Sequence, residues 1–484
     1  MIRITLLTLL IAYLSSYAWK NWFRAACWLV LLMSIFQHPD MPKSIAGVPG
    51  LNHWNFLFLN VVLSWITNRK KEKLSWEMPA HLNFLLFIYS FFIILSVFRY
   101  LNDPSGSIRL EGISEFEASL GVSAINEYLI NCFKWVFPAF IIFDGARDRN
   151  KYNFAVLMLV LMYLILAFQV IKQMKLGSLG LSGESLQRKA LKVLSNSVGY
   201  HRVNISMIMS GAFWAVFCLK EYVSSKHFYL IIIPSCLSIL AAMAMTGGRT
   251  GYATWGLLGF VFCLFKWRKY FLLAPVVLIA ITIAAPSAVE RMMMGLVDEE
   301  GTSFDESSSI EFDGNNLDTQ TITSGRSVAW PEVWKEIGEA PFLGYGRNAM
   351  MNTGVTQRLL IEQGESFPHP HNAYLEWLLD NGTIAAIPVF LFYFLMLKYS
   401  WSLLRDKKEV IYVVAGGMSF SLICAFLLAG SGSQTFYPRE GAVGMWVGMG
   451  LMLRVYIERK KVSKGGESEL INPTIKIESK YFVK

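Results

Sequence analysis

The chain has 484 residues, of which 54% are hydrophobic and only 16% charged, against about 45–50% apolar and about 25% charged in an average soluble domain. Two or three soluble domains of ordinary make-up are excluded by that balance. The net charge of +9 is confined to short loops between apolar runs, a placement that follows membrane topology and excludes nucleic acid as the partner.

Apolar runs of about 17–25 residues bounded by charged breaks are membrane-spanning helices, because lipid offers the backbone no hydrogen-bond partner. The pattern predicts thirteen spans, near 4–19, 22–38, 50–67, 80–99, 126–145, 153–172, 203–219, 227–245, 251–266, 270–288, 373–398, 409–429 and 440–456. The short alternating segments of a β-barrel do not occur. The predicted fold is therefore all-α, a polytopic membrane helical bundle of about 12–14 transmembrane helices. The first run, Ile4 to Trp19, could pass for a signal peptide, with Ser16, Tyr17 and Ala18 as a poor cleavage site. In a chain that then spans many times it reads as an uncleaved first helix.

Basic loops set the orientation. The clusters at Arg69–Lys73, Arg147–Lys151, Lys266–Lys269 and Arg405–Lys408, and the tail holding Arg454, Arg459, Lys460 and Lys461, all fall on one side. The positive-inside rule makes that side the cytoplasm. Three longer loops fall on the other. Residues 100–125 are mildly acidic. Residues 173–202 are basic and break the charge rule, with Leu186, Leu191 and Leu194 alternating with Arg188, Lys189 and Lys192 in a short amphipathic pattern that suits the interface or a solvated connector. Residues 289–372 form the largest loop, about 84 residues. Its stretch from Asp298 to Asp318 is rich in acids, Ser, Gly and Asn and has no calcium-loop spacing. The stretch from Arg326 to Arg358 carries Trp330, Trp334, Ile337, Pro341, Phe342 and Leu343, enough to fold into a helix and a turn against the membrane. The six cysteines, Cys27, Cys132, Cys218, Cys236, Cys263 and Cys424, sit in apolar runs without CxxC spacing and read as small buried hydrophobes.

Three motifs on the non-cytoplasmic side carry candidate chemistry. Thr246–Gly251 (TGGRTG) places Arg249 between two strongly apolar helices, where an arginine is costly; a snorkelling charge is the bland alternative. Ser324–Ser327 (SGRS) places Arg326 just before Trp330 and Trp334, where a solvated loop arginine is the alternative. Phe367–Asn372 (FPHPHN) places His369 and His371, held by Pro368 and Pro370, where the loop enters a span. Arginine offers a planar fork for paired phosphate oxygens and stays charged. Such charge suits a diphosphate leaving group. Histidine takes a proton from a hydroxyl near neutral pH. Metal binding is the rival role for the histidine pair, but no HExxH or Asp-x-Asp motif accompanies it, and no metal or other cofactor is expected.

At these residues the chain resembles the O-antigen ligase and O-antigen polymerase superfamily, often called Wzy_C. The family's signature has His followed by Asn, Ser or Gln, then nine residues and Gly-x-x-Gly. Here His371 and Asn372 are followed by nine residues, Ala373 to Asn381, and by Gly382, while Ala385 stands where the second glycine belongs. Gly325, Arg326, Trp330, Pro341 and the Gly344–Tyr345–Gly346 turn resemble the family's upstream run. Thr246–Gly251 resembles its Ser-Arg-Gly segment, and Arg202–Asn204 a looser element that opens a preceding span. The resemblance covers roughly 195–400; the N-terminal third matches in hydropathy alone.

What the resemblance implies is a metal-independent glycosyltransferase with a C-type glycosyltransferase-like bundle, working on the periplasmic face of a bacterial inner membrane. The donor would be a glycan on undecaprenyl diphosphate. Arg249 and Arg326 would hold the diphosphate, and His371 would be the base. His369, Asn372, Arg202, Trp330, Tyr345, Arg347 and Arg439 are expected to contact substrate. Residues 1–200 would form an N-terminal transmembrane bundle, 201–400 the catalytic region with the periplasmic loop 289–372, and 401–484 the last helices with a basic tail. The polar segment Ser431–Glu440 tilts the expectation towards a polymerase that joins O-antigen or exopolysaccharide repeats, with a glycan acceptor and a chain-length regulator as partners. A ligase delivering the glycan to lipid A–core, or a protein O-oligosaccharyltransferase, stays open. The rival from another class is a lipid-linked glycan flippase, which would place polar or broken helices near the midplane; here the ionisable residues gather at one face, with Glu376 and Asp380 near the end of their span.

Overall fold

A computed structural model describes residues 2–42, 44, 50–102, 124–293, 326–364, 367–432 and 435–471. The acidic stretch 298–318 and the loop core 103–123 lie outside the described residues. Each of the thirteen predicted runs carries a helix. In chain order these are α1 (Ile2–Ala18), α2 (Trp22–Phe36), α3 (His53–Lys71), α4 (Ala80–Asn102), α5 (Ile125–Gly145), α6 (Arg149–Met174), then, after the connecting helix α7 (Gly183–Ser197), α8 (Arg202–Cys218), α9 (Ser225–Ala244), α10 (Arg249–Phe265) and α11 (Arg268–Ala284). The short helices α12 (Pro286–Met293), α13 (Arg326–Glu339), α14 (Ala349–Asn352) and α15 (Val355–Gln363) precede α16 (Ala373–Arg405), α17 (Val410–Gly430) and α18 (Val443–Ser463). No strand occurs among the described residues.

Seven helices, α4, α5, α6, α8 taken with the turn that continues it to Glu221, α9, α16 and α17, are long and apolar enough to cross a membrane. The chain is a multi-pass membrane protein. α1, α2 and α10 are apolar but have only 17, 15 and 17 residues, and at 1.5 Å per residue they fall somewhat short of a full hydrocarbon core. α3 and α18 are long enough but carry charged last turns, with Arg69, Lys70 and Lys71 in one and Lys460 and Lys461 in the other. The predicted span 270–288 is not one straight helix. It breaks between α11 and α12 with a bend of 107°, because Pro286 lacks an N–H and disfavours helical geometry at the preceding Ala285, which sits at φ −142° and ψ 61°.

α17 is buried on nearly all sides and is apolar all round, as a central helix must be. It packs against α8, α10, α16 and α18. Small residues let these backbones approach: Gly211 of α8 sits against Leu422 and Ala425, and Gly417 against Cys218. All six cysteines are free. The basic connector folds as α7 and packs on α6 and α12, with Ser287 Oγ donating to Leu179 O at 2.9 Å. Its buried face is Leu186, Ala190 and Leu194, spaced by four residues. Leu191, expected on that face, points away and is 48% exposed.

The stretch before α16 folds as a helix and turn around a small second core, in which Ala329, Val333 and Ile337 of α13 meet Met350, Val355, Leu359, Phe367, Leu375 and Leu379. Trp334 and Phe342, at 55% and 66% exposure, face outward from it. The small core is joined to the bundle through a break in α16. Gly382 adopts φ 70° and ψ −175° inside that helix, a conformation open to glycine. The break frees carbonyls before it and N–H groups after it, and the segment 341–346 fills both. Tyr345 and Gly346 donate to Leu379 O and Asp380 O at 2.9 and 2.8 Å, and Thr383 and Ile384 donate to Pro341 O and Phe342 O at 2.8 and 3.2 Å. A Cβ on Gly382 would lie 2.3 Å from the Phe342 carbonyl carbon.

At the opposite end of the bundle, where the basic loops gather, a closed ionic network ties α3, α5 and α18 together. Asp144 is fully buried and paired with Arg69 at 2.6 Å and Arg147 at 2.8 Å. Arg454, also fully buried, pairs with Glu77 and with Glu458 and donates from Nε to Phe143 O at 2.8 Å. Lys461 bridges Glu77 and Glu458 at 2.9 and 3.0 Å.

Candidate active site

The FPHPHN segment is held from both sides before it enters α16. Asn372 is the N-cap, its Oδ1 accepting from the N–H groups of Tyr374 at 3.0 Å and Leu375 at 3.2 Å. This satisfies donors that a helix start leaves without partners. Upstream, the Trp330 indole donates to Pro370 O at 3.0 Å. Between these clamps His371 adopts φ 50°, the left-handed region that costs most residues strain. That turn brings the rings of His369 and His371 together, with centroids 4.1 Å apart and planes at 74°. Phe367 stands on the other side of His371 at 6.2 Å. Both histidines are half-buried.

Beneath the pair lies a buried ionic cluster. Arg347 Nη1 contacts Glu376 Oε1 at 2.5 Å and Asp380 Oδ2 at 3.0 Å. The guanidinium is sandwiched over Tyr437 and Tyr128, with centroids at 4.0 and 5.0 Å. Asp380 also accepts from Ala349 N at 3.1 Å and from the Tyr437 hydroxyl at 3.0 Å, and Asn381 donates to that hydroxyl at 2.7 Å. Burial opposes charge on Arg347, but Glu376 and Asp380 together hold its pKa above the usual arginine range. Burial lowers the pKa of His369 below the usual histidine value; the cations Arg347 and Arg439 act the same way, and Glu376 opposes them. Arg347, expected at the substrate, thus has its charge turned inward onto two carboxylates. Tyr345 is anchored too, its hydroxyl donating to Glu336 O at 3.3 Å.

The second element is the TGGRTG turn. Gly248 caps α10 with no side-chain hydrogen bond, and the helix starts at Arg249, which places the positive end of its dipole at the turn. The turn is closed by Thr246 Oγ1 accepting from Gly248 N at 3.2 Å, by Ser206 Oγ donating to Gly248 O at 3.1 Å, and by Arg202 Nη1 donating to Gly247 O at 3.1 Å. Any larger residue at position 251 is barred, since its Cβ would fall 1.9 Å from Ser206 Oγ. Arg249 is half-buried. A third arginine joins it: Arg291 of α12 is buried and within electrostatic reach of Arg249, and Arg202 and Arg291 both act on Tyr252.

The two elements meet through the loop before α18. Gly441 lies against Asn204 and Ile208 of α8, one turn from Arg202, and the exposed Arg439 acts electrostatically on His369. Arg202, Arg249, Arg291, Arg439, His369 and His371 therefore share one end of the bundle. Arg326 opens α13, one turn before Trp330, so its backbone stands beside the histidine segment; its side chain lies outside the described residues. Among the described residues, no group of three or more His, Cys, Asp and Glu is placed to hold a metal ion. Sequence reasoning left the role of three residues unread. Glu376 and Asp380, four apart on a helix and hence on one face, signalled a buried partner. Arg291, just beyond the proline break, signalled a helix turned away from the apolar run before it. An arrangement of several guanidiniums and a helix start beside two imidazoles can neutralise a phosphorylated leaving group and accept a proton from an attacking hydroxyl.

Residues 234–390 match the sequence model of the family described as O-antigen ligase, Wzy_C. The ComP-specific O-oligosaccharyltransferase of Acinetobacter baylyi is 24% identical over 196 residues, covering 40% of this chain and 33% of that protein. The O-antigen ligase of Pseudomonas aeruginosa is 27% identical over 152 residues, covering 31% of this chain and 35% of that protein. The chain thus spans about a third of the length of the curated relatives it matches.

Proposed function

From the chain's membership of the Wzy_C O-antigen ligase family, we propose that it transfers a glycan from undecaprenyl diphosphate to an acceptor hydroxyl. The reaction takes place on the periplasmic face of a bacterial inner membrane. Arg249 and Arg326 bind the diphosphate, with the start of α10 adding its N–H groups, and His371 removes the acceptor's proton. The hydroxyl oxygen attacks the anomeric carbon, the bond to the diphosphate breaks with its electron pair leaving on phosphate oxygen, and the configuration inverts. The observation that carries this reading is the gathering of Arg202, Arg249, Arg439, His369 and His371 at one end of the bundle, opposite the basic loops. Cationic side chains do the neutralising, so transfer survives strong chelation. Rescue by a divalent ion after inactivation with a chelator would overturn the arginine assignment.

For the acceptor we favour en bloc delivery, as by a ligase or oligosaccharyltransferase, because both relatives carry those names. Polymerisation is the second reading and rests on the polar loop 431–440 before α18, which would hold a second glycan. A deletion strain separates the two. Loss of all attached polysaccharide supports delivery, and single repeats still attached mean polymerisation. Transfer by purified protein in liposomes, with donor and acceptor on the same side, excludes a flippase.

A further inference from the structure

The HPH segment places two imidazoles in contact, and a single base would need only one. The contact is built. Trp330 fixes the peptide between the rings, Asn372 fixes the chain after them, and His371 holds a left-handed φ of 50°. With centroids 4.1 Å apart, two imidazolium cations would repel, so the geometry disfavours a second proton on the pair.

The charged groups around His369 come from three elements. Glu376 faces it from α16, Arg347 from the segment before α14, and Arg439 from the loop before α18. Arg347 is bound at 2.5 and 3.0 Å to two carboxylates, Glu376 and Asp380. Of those two carboxylates, Glu376 is the one whose charge reaches His369.

Resting on the function proposed above, we propose that His369 is the second half of a two-histidine base. His371 takes the proton from the acceptor hydroxyl as its oxygen attacks. The proton then passes to His369, where the Glu376 carboxylate offsets its charge against burial and the cations Arg347 and Arg439. His371 is left neutral beside the departing diphosphate. No bond other than N–H and O–H changes in this transfer, and His369 gives the proton to water after product leaves. In this scheme His369 acts through His371 and is a positioning and relay residue.

Two measurements on the full-length protein in nanodiscs test the proposal. The first needs no substrate: the histidine rings are labelled with ¹⁵N and titrated by NMR in the wild type, His369→Ala and His371→Ala. A shared proton gives the wild type two steps, the lower of them below the single step of either variant. Wild-type steps that coincide with the two single-variant steps would overturn the pair. The second measures transfer from a polyprenyl-diphosphate glycan. His369→Ala is expected to lose about 10- to 100-fold in kcat with little change in donor KM, since a relay supplies part of the 10²–10⁴-fold available to acid–base catalysis. Added imidazole should restore part of that rate, in proportion to its free-base fraction. Restoration by His369→Gln but not by imidazole would mean a packing role and sink the relay. Absence of transfer by the wild type with any such donor would overturn the proposed function instead, while the titration still decides the pair.

Discussion

The two ends of the bundle each bury charge, and they do so in opposite ways. At the basic end, Asp144, Glu77 and Glu458 are shared among Arg69, Arg147, Arg454 and Lys461, so every acid has at least two cationic partners. At the histidine end one cation, Arg347, serves two acids, Glu376 and Asp380, and hydroxyl and backbone donors fill the remaining sites on Asp380. The first network joins helices remote in sequence. The second stands next to the histidine pair. A buried ion pair is weak evidence for stability by itself; what separates the two ends is which sign is in the majority, four cations to three acids at the basic end and two acids to one cation at the histidine end.

The largest expected effect falls at the histidine end alone. His371→Ala should lower transfer by about 10²–10⁴-fold and leave the unfolding temperature near that of the wild type, as measured on the purified protein in detergent. Near-normal polymer or ligated glycan from that variant would erase the distinction between the ends. Next in size, Arg347→Ala should destabilise the fold by about 3–5 kcal/mol, because it leaves two buried carboxylates uncompensated, and Arg454→Ala by less, because Lys461 still pairs with Glu77 and Glu458. Neutralising the acids as well, as in Arg347→Met with Glu376→Gln and Asp380→Asn, should recover much of the loss in thermal unfolding. Failure to recover would mean that packing of the guanidinium between Tyr128 and Tyr437 matters more than its charge.

A smaller effect is expected from Arg249→Lys. The ammonium keeps the charge but loses one prong, and a hydrogen bond to a charged group is worth about 1.5–3 kcal/mol, or roughly 10- to 150-fold in kcat/KM. Wild-type rates in that variant would count against a paired phosphate contact. The smallest effect concerns pH. Burial holds the folded His369 below the ordinary histidine pKa, so the unfolded chain binds the proton first as pH falls. Stability is therefore full above the ordinary value near about 6.5, and is lost as pH drops towards the folded value. Thermal unfolding at pH 7.5 and pH 5.5 should differ more in the wild type than in His369→Gln. Equal differences would mean that His369 is not desolvated in the folded protein.

Helix positions were legible because the hydrocarbon core imposes a length and a composition: the run expected at 80–99 is the helix Ala80–Asn102, and 409–429 is Val410–Gly430. The break at Ala285 was signalled by Pro286, yet the apolar run across it concealed the bend. The site motifs were legible as residue types, since an arginine between apolar helices and two histidines between prolines are costly arrangements. Their geometry was not. That His369 touches His371 depends on the φ of one residue, which Trp330 fixes from 40 positions away in sequence. The inward turn of Arg347 depends on the break at Gly382. The pairing of Glu77 with Arg454, 377 residues apart, follows from tertiary packing that no local pattern encodes.

That last pairing bears on how the protein is made. α18 carries Arg454 with no exposed surface, and an arginine at the centre of an inserting helix costs about 2.5–3.5 kcal/mol on the translocon scale. Its partners, Glu77 and the Phe143 carbonyl, belong to segments synthesised more than three hundred residues earlier. α18 can settle only where those early segments already stand. Biogenesis of this chain therefore passes a checkpoint at α18: that helix has a stable place only if the region around α3 to α5 assembled correctly first.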